Sequence, residues 1–231
     1  MKILELFAGT GSVGKVALDL NWVKVALDIN GEDHIDIQQD ILTWNYKEAY
    51  RQGYFDVIWA SFPCETFSTT KVSNIGRPCA KYGNKTWTKE LIEKDIVEIG
   101  LPLLRKSEEI IDYFQPKAYF LENPATGCAK LYLKHRPMYV FDYCCFEWEW
   151  GYRKRTAIWT NVENVESRLC VPKSCKATYF CKETGRYRHI RTTDGGNRKK
   201  GTVGTTRDER YRIPAELIRY LFSHINKTKN G

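Results

Sequence analysis

In the stretch Phe62-Pro63-Cys64-Glu65-Thr66-Phe67-Ser68, a cysteine follows a proline just where the apolar run YFDVIWAS (54–61) ends. A thiol between the end of a strand and the start of a polar loop is placed to act as a nucleophile once it ionises. A second group is Cys170, Cys175, Cys181 and His189 in CVPKSCKATYFCKETGRYRH. Three thiols and an imidazole are a ligand set for tetrahedral zinc, although these spacings are looser than a CxxC pair. The third is the glycine turn of LELFAGTGSVGKVALDL (4–20). Gly9, Gly14 and Lys15 approach a P-loop, but Val16 stands where the magnesium-binding Ser or Thr is required. Gly9, Gly11 and Gly14 also spell G-x-G-x-x-G, and Asp28 follows at the distance of a carboxylate that binds ribose hydroxyls. That reading suits a dinucleotide and S-adenosylmethionine (AdoMet) equally. Asp40, in QQDIL, sits where a carboxylate can accept a bond from an adenine amino group.

These residues need a scaffold that brings distant segments together. The pattern predicts strands at Lys2–Phe7, Trp22–Asp28, Ile35–Ile41, 54–61, 117–123, 138–146 and 155–161. Helices are predicted at Ser12–Leu20, 45–52, Leu91–Phe114 and Pro214–Ile225, while 165–210 shows little periodicity. Alternation of this kind implies an α/β fold with a mostly parallel, doubly wound sheet and helices on both faces. Ligands of such sheets sit beyond the carboxyl ends of the strands, where each motif above falls.

With 231 residues the chain supports one sizeable core and a small appended module. No run approaches the length of a membrane span, and the first residues enter a strand rather than a signal sequence, so a soluble, cytoplasmic protein is expected. In that compartment the eight cysteines read as thiols or metal ligands. The net charge of +8 is local: residues 151–212 hold 16 Lys and Arg against 6 Asp and Glu. Such concentration favours a polyanion-binding surface. Candidate contacts are Ser68 and Lys71 in the polar loop after Cys64, then Arg186, Arg188, Arg191, Arg198, Lys199 and Lys200.

Taken in order, four motifs resemble those of the DNA cytosine-5 methyltransferase family. FAGTGSVG resembles its motif I, and PCETFS its catalytic Pro-Cys-Gln-x-Phe-Ser, with Glu65 in place of Gln. LENP (121–124) resembles Glu-Asn-Val, with Pro124 for Val, and GYRKR (151–155) resembles Gln-x-Arg-x-Arg, with Gly151 for Gln. The resemblance covers residues 1–161 and implies a Rossmann-like, AdoMet-dependent methyltransferase sheet. It implies that Cys64 adds to carbon 6 of cytosine, that Glu122 serves ring nitrogen 3 as a protonated carboxyl, and that Arg155, with Arg153, bonds the exocyclic oxygen. It also implies that Phe7, Ala8, Gly9, Thr10, Gly11, Asp28, Ile29, Asp40, Ile41 and Pro63 hold AdoMet.

The family's motif IX is not recognisable, and YRIPAELIRYLF only loosely resembles motif X. The expected organisation is a catalytic domain at 1–162, a short basic target-recognition region at 163–210 and a returning helix at 211–231, acting as a monomer on DNA. The alternatives are the same chemistry on transfer RNA, or a catalytically silent nucleic-acid-binding relative.

Overall fold

The computed structural model describes residues 1–193, 196–197 and 202–225. The first strand, β1 (Lys2–Leu6), is buried from Ile3 to Leu6, as expected of a strand covered on both faces. Side chains alternate across it: Leu4 and Leu6 enter one core, and Ile3 the other. Around β1 lie β2 (Val23–Asp28), β3 (Ile37–Gln38) and β4 (Val57–Ala60). A two-residue pair, β5 (Pro78–Cys79) and β6 (Lys85–Thr86), sits in the loop that follows. The main sheet continues with β7 (Ala118–Pro124), β8 (Met138–Asp142) and β9 (Arg155–Thr160).

The seven-stranded order is β3-β2-β1-β4-β7-β9-β8. The first five strands are parallel, and β9 runs antiparallel to both its neighbours. The order reverses between β1 and β4, and the chain ends of these two strands form the switch point of a Rossmann-like sheet.

On one face α1 (Ser12–Asp19) contributes Val13, Val16 and Ala17 to a core with Val57, Trp59 and Phe120. The other face is covered by α4 (Leu101–Phe114) through Leu104, Ile110, Ile111 and Phe114, with α2 (Tyr46–Ala49) at its margin. The long helix expected over Leu91–Phe114 is divided. It comprises α3 (Lys89–Asp95), a π turn at Ile96–Gly100, and α4. Pro102 lies in the first turn of α4 and has no N–H to donate, so a regular ladder cannot pass through it.

Beyond β9, the region expected to be irregular contains a hairpin of β10 (Thr178–Cys181) and β11 (Arg186–His189), then the short pair β12 (Gly196–Asn197) and β13 (Thr202–Val203). The chain returns through α5 (Arg207–Tyr211), whose N-terminus carries a capping box of Thr206 and Glu209. It then adds α6 (Ala215–Phe222) beside α1, with Ile213 N–H donating to Ser12 Oγ at 3.1 Å. Among the described residues no helix is long and apolar enough to cross a membrane.

The loop after Cys64 is tied down by one buried acid. Asp95 accepts from Lys71 Nζ and Tyr82 Oη, both at 2.5 Å, and from Lys81 Nζ. Burial alone would raise this carboxyl, but those three donors outweigh it and hold the group at about 2. Asp95→Asn is therefore expected to leave the far-ultraviolet dichroism intact while tryptic cleavage after Lys71 and Lys81 accelerates about tenfold. Unchanged cleavage would show that the loop is held elsewhere.

Candidate functional site

Leaving β1, the chain turns through Phe7 (φ 57°), Gly9 (φ 47°) and Gly11 (φ 65°). A left-handed phenylalanine costs conformational energy, and such strain persists where surrounding structure fixes it. Here Gly9 N–H donates to Asp28 Oδ2 at 3.0 Å, and a His34 ring nitrogen lies 2.8 Å from Gly9 O. A Cβ on Gly11 would stand 2.5 Å from the His34 ring, so the turn needs glycine there for space as well as for φ. Beneath it, Glu5 is buried and accepts from Val13 N–H (3.3 Å) and Gly14 N–H (2.8 Å), capping α1. Burial pushes the Glu5 carboxyl up to about 7.

The turn opens onto a cavity of about 610 Å³, within the range of small-molecule sites. Phe7, Ala8, Gly9, Thr10, Asp28, Ile29, Asp40, Ile41 and Pro63 all line it. Gly11 does not, and shapes the turn from behind. Glu5 also lines it, as do Glu98 and Leu103 from the segment after α3, and Arg207 and Tyr211 from α5. None of these five was picked out by sequence reasoning. Tyr211 Oη donates to Glu65 Oε1 at 3.0 Å, with Arg207 Nη2 at 3.5 Å, so α5 latches onto the residue beside Cys64.

Cys64 and Glu122 line the same cavity. The cysteine turn is anchored by Phe62 and Phe67, both buried and packed edge to face at 5.6 Å. Asn123 Nδ2 donates to Phe62 O at 2.9 Å, joining the turn to the end of β7. Gly100, in the π turn, lets that turn approach: a Cβ there would lie 2.4 Å from Thr66 Oγ1 and 2.9 Å from the Phe67 ring. Burial raises the Cys64 thiol, Glu122 and Glu65 raise it further, and Lys154 opposes them. Glu122 Oε1 accepts from Thr156 Oγ1 at 2.5 Å and from Tyr143 Oη at 3.4 Å, and Lys154 Nζ stands 3.9 Å from it.

The arginines of GYRKR are not part of this arrangement. In the antiparallel register Glu122 faces Ile158, so the two-residue period turns Thr156 and Lys154 toward Glu122 and Arg155 to the opposite face. Arg155 makes a bidentate pair with buried Asp142, at 2.9 and 2.8 Å. Arg153 precedes the strand and is exposed. Lys154 lines the cavity in their stead, a residue the motif match passed over.

The predicted metal set is also corrected. The donors that converge are Cys144, Cys170, Cys175 and His189, all within 4.8 Å of one another. Cys181 lies outside the group, at the turn of the hairpin, where its thiol bonds with Thr184 instead.

Among the expected nucleic-acid contacts, Lys71 is committed to Asp95, and Ser68 Oγ accepts from Thr70 N–H at 3.3 Å. Arg191 forms a bidentate pair with Glu209 at 2.7 Å. Arg186 and Arg188 lie on β11, with Arg186 exposed, beside exposed Tyr179, Phe180 and Tyr187. Arg198, Lys199 and Lys200 lie outside the described residues.

A Rossmann-like sheet with its cavity at the switch point is thus established from the fold, and similarity to known proteins narrows the class. No family model matches the chain. It is 43% identical over 220 residues to a protein of Frog virus 3 (isolate Goorha) described as "Probable DNA (cytosine-5)-methyltransferase", covering 94% of this chain and 97% of that one. Among solved structures it is similar to an Entamoeba histolytica methyltransferase (TM-score 0.47, 15% identity, 77% of this chain and 58% of that one). It is also similar to the Dnmt2 methyltransferase of S. pombe (TM-score 0.40, 13% identity, 82% and 58%). The chain spans little more than half the length of these two structures. On the identity and coverage of the viral relative, the chain belongs to the DNA cytosine-5 methyltransferase family.

The two neighbouring cations at the start of β9 are expected to separate in experiment. Arg155→Ala leaves the Asp142 carboxylate buried without its partner and should cost about 3 kcal/mol in urea unfolding. Lys154→Ala, which removes an ammonium that donates to Arg210 O at 2.8 Å but leaves the Asp142 pair intact, should cost about 1.5 kcal/mol. Equal losses would refute the opposite-face assignment.

Proposed function

We propose that this chain transfers a methyl group from AdoMet to carbon 5 of cytosine in DNA. One observation carries the reading: Cys64 and Glu122 line the same cavity as the glycine turn. The donor set fits the cofactor. Asp28 suits ribose hydroxyls, Asp40 an adenine amino group, and Phe7 and Ile29 offer apolar surface to the purine. Glu5 offers negative charge to a cationic ligand. When bound, AdoMet supplies an electrophilic methyl group.

Carbon 5 of cytosine is a poor nucleophile, and Cys64 remedies this. Its thiolate adds to carbon 6, the carbon–sulfur bond forms, and the ring electrons move to carbon 5 while ring nitrogen 3 takes a proton or hydrogen bond from Glu122. Lys154 serves both partners: it favours the Cys64 thiolate and offsets negative charge developing on the ring. After carbon 5 has been alkylated, loss of its proton and expulsion of the thiolate regenerate the aromatic base and free Cys64. In duplex DNA the cytosine must first leave the stack, and the apolar cavity wall excludes water once it enters.

The test is transfer of labelled methyl to DNA and to RNA. Incorporation into DNA, lost by about 10³-fold or more in Cys64→Ser, is expected. Incorporation into RNA alone, or an active Cys64→Ser protein, would overturn the reading. Lys154→Ala should lower kcat about 10²-fold with the cofactor KM unchanged, and an unaltered kcat would remove Lys154 from the chemistry.

Glu5 adds a pH dependence of definite sign. In the free protein its folded value, about 7, exceeds its ordinary 4.5, so the folded state holds a proton the unfolded state has lost. Its contribution to stability therefore falls as pH rises from 4.5 to 7. A cationic cofactor favours the ionised form, so AdoMet should bind about tenfold tighter at pH 8 than at pH 6. Calorimetric titration of wild type and Glu5→Gln measures this, and an equal slope in the variant would exclude Glu5 as the source.

A further inference from the structure

We propose that Cys144, Cys170, Cys175 and His189 bind one zinc ion, and that this ion fastens the β10–β11 hairpin to the edge of the catalytic sheet. The site is independent of the methyl-transfer reading, since none of its ligands lines the cavity.

The geometry is that of a coordination sphere rather than of incidental neighbours. His189 Nε2 lies 3.3 Å from Cys144 Sγ, 3.5 Å from Cys170 Sγ and 3.8 Å from Cys175 Sγ. Tetrahedral zinc with ordinary bond lengths separates nitrogen and sulfur ligands by about 3.6 Å. The observed edges bracket that value. All four cysteine and histidine donors converge from segments far apart in sequence, and the three cysteines are free thiols. Three thiolates and one imidazole favour zinc over harder cations.

The surroundings explain what the ion does. Cys144 follows β8, Cys170 and Cys175 belong to the loop after β9, and His189 ends β11. Between residues 166 and 206, Ala177 and Thr205 are the buried residues among those described. A segment with so little core needs a staple to hold one conformation. Asp142 prepares the site from behind: its carboxylate accepts from Cys170 N–H at 2.8 Å while held by Arg155. Arg155 thereby acts as a positioning residue for a ligand loop. The fastened hairpin displays Tyr179, Phe180, Arg186 and Tyr187 to solvent, and a two-stranded ribbon is of a size to enter the major groove of DNA.

Full-length protein, expressed with zinc supplementation and purified without chelators, is to be analysed for metal by plasma mass spectrometry. One zinc per chain is expected in wild type and in Cys181→Ser, with at least about tenfold less in Cys144→Ser. Metal-free wild type overturns the site. So does metal retained in Cys144→Ser but lost in Cys181→Ser. If Cys144→Ser proves insoluble, replacing zinc by cobalt(II) in wild type decides the matter. Intense visible bands of tetrahedral cobalt with thiolate charge transfer are expected, and their absence overturns the ligand set.

Discussion

The antiparallel register between β7 and β9 is the constraint on which the rest of the site depends. Because Glu122 sits opposite Ile158, every second residue of β9 and of its lead-in faces the cavity side. That parity gives Glu122 a hydroxyl from Thr156 and an ammonium from Lys154. It sends Arg155 to the other face, where Asp142 claims it. A slip of one residue would exchange the two sets. The cavity and the loop that carries Cys170 would both lose their cations at once. One backbone pairing therefore sets which cation lines the cavity on one face of β9 and the anchoring of Cys170 on the other.

The charge balance around Cys64 follows from the same register. Burial, Glu122 and Glu65 oppose ionisation, and Lys154 favours it. The Cys64 thiol is accordingly pushed up from its ordinary value.

Much of the sheet was legible because its strands are short apolar runs separated by turns, and the parallel order follows from the alternation with helices. The cavity residues from Phe7 to Thr10, with Asp28 and Asp40, were legible because carboxyl ends of strands are where such sheets bind ligands. The rest depends on contacts a linear pattern does not encode. Lys154 was hidden because a motif match fixes residue types, whereas a strand's facing is fixed by its partner. Cys144 was hidden because it lies 26 residues before Cys170 and becomes its neighbour only when β8 packs at the sheet edge. The π turn was hidden because a helical period continues through it, and only Pro102 and Gly100 mark the interruption. Arg191 and Lys71 read as phosphate contacts, yet Glu209 and Asp95 occupy them internally.

The position of α6 bears on how the molecule assembles. Ile213 bonds to Ser12 across 201 positions, and Leu217, Ile218 and Leu221 cover the same apolar face as Val13 and Val16. Strands β1 and β4, in the middle of the sheet, come from the first quarter or so of the chain, but the layer that α1 begins on one of their faces is completed by residues 213–225. Contacts of such sequence separation are closed late and slow the search for the native state. Until α6 docks, Trp59 and Phe120 lie under an incomplete layer, a surface on which chaperones and other unfolded chains can act. Nearly all of the residues that line the cavity thus precede the segment that completes the layer over one face of the sheet.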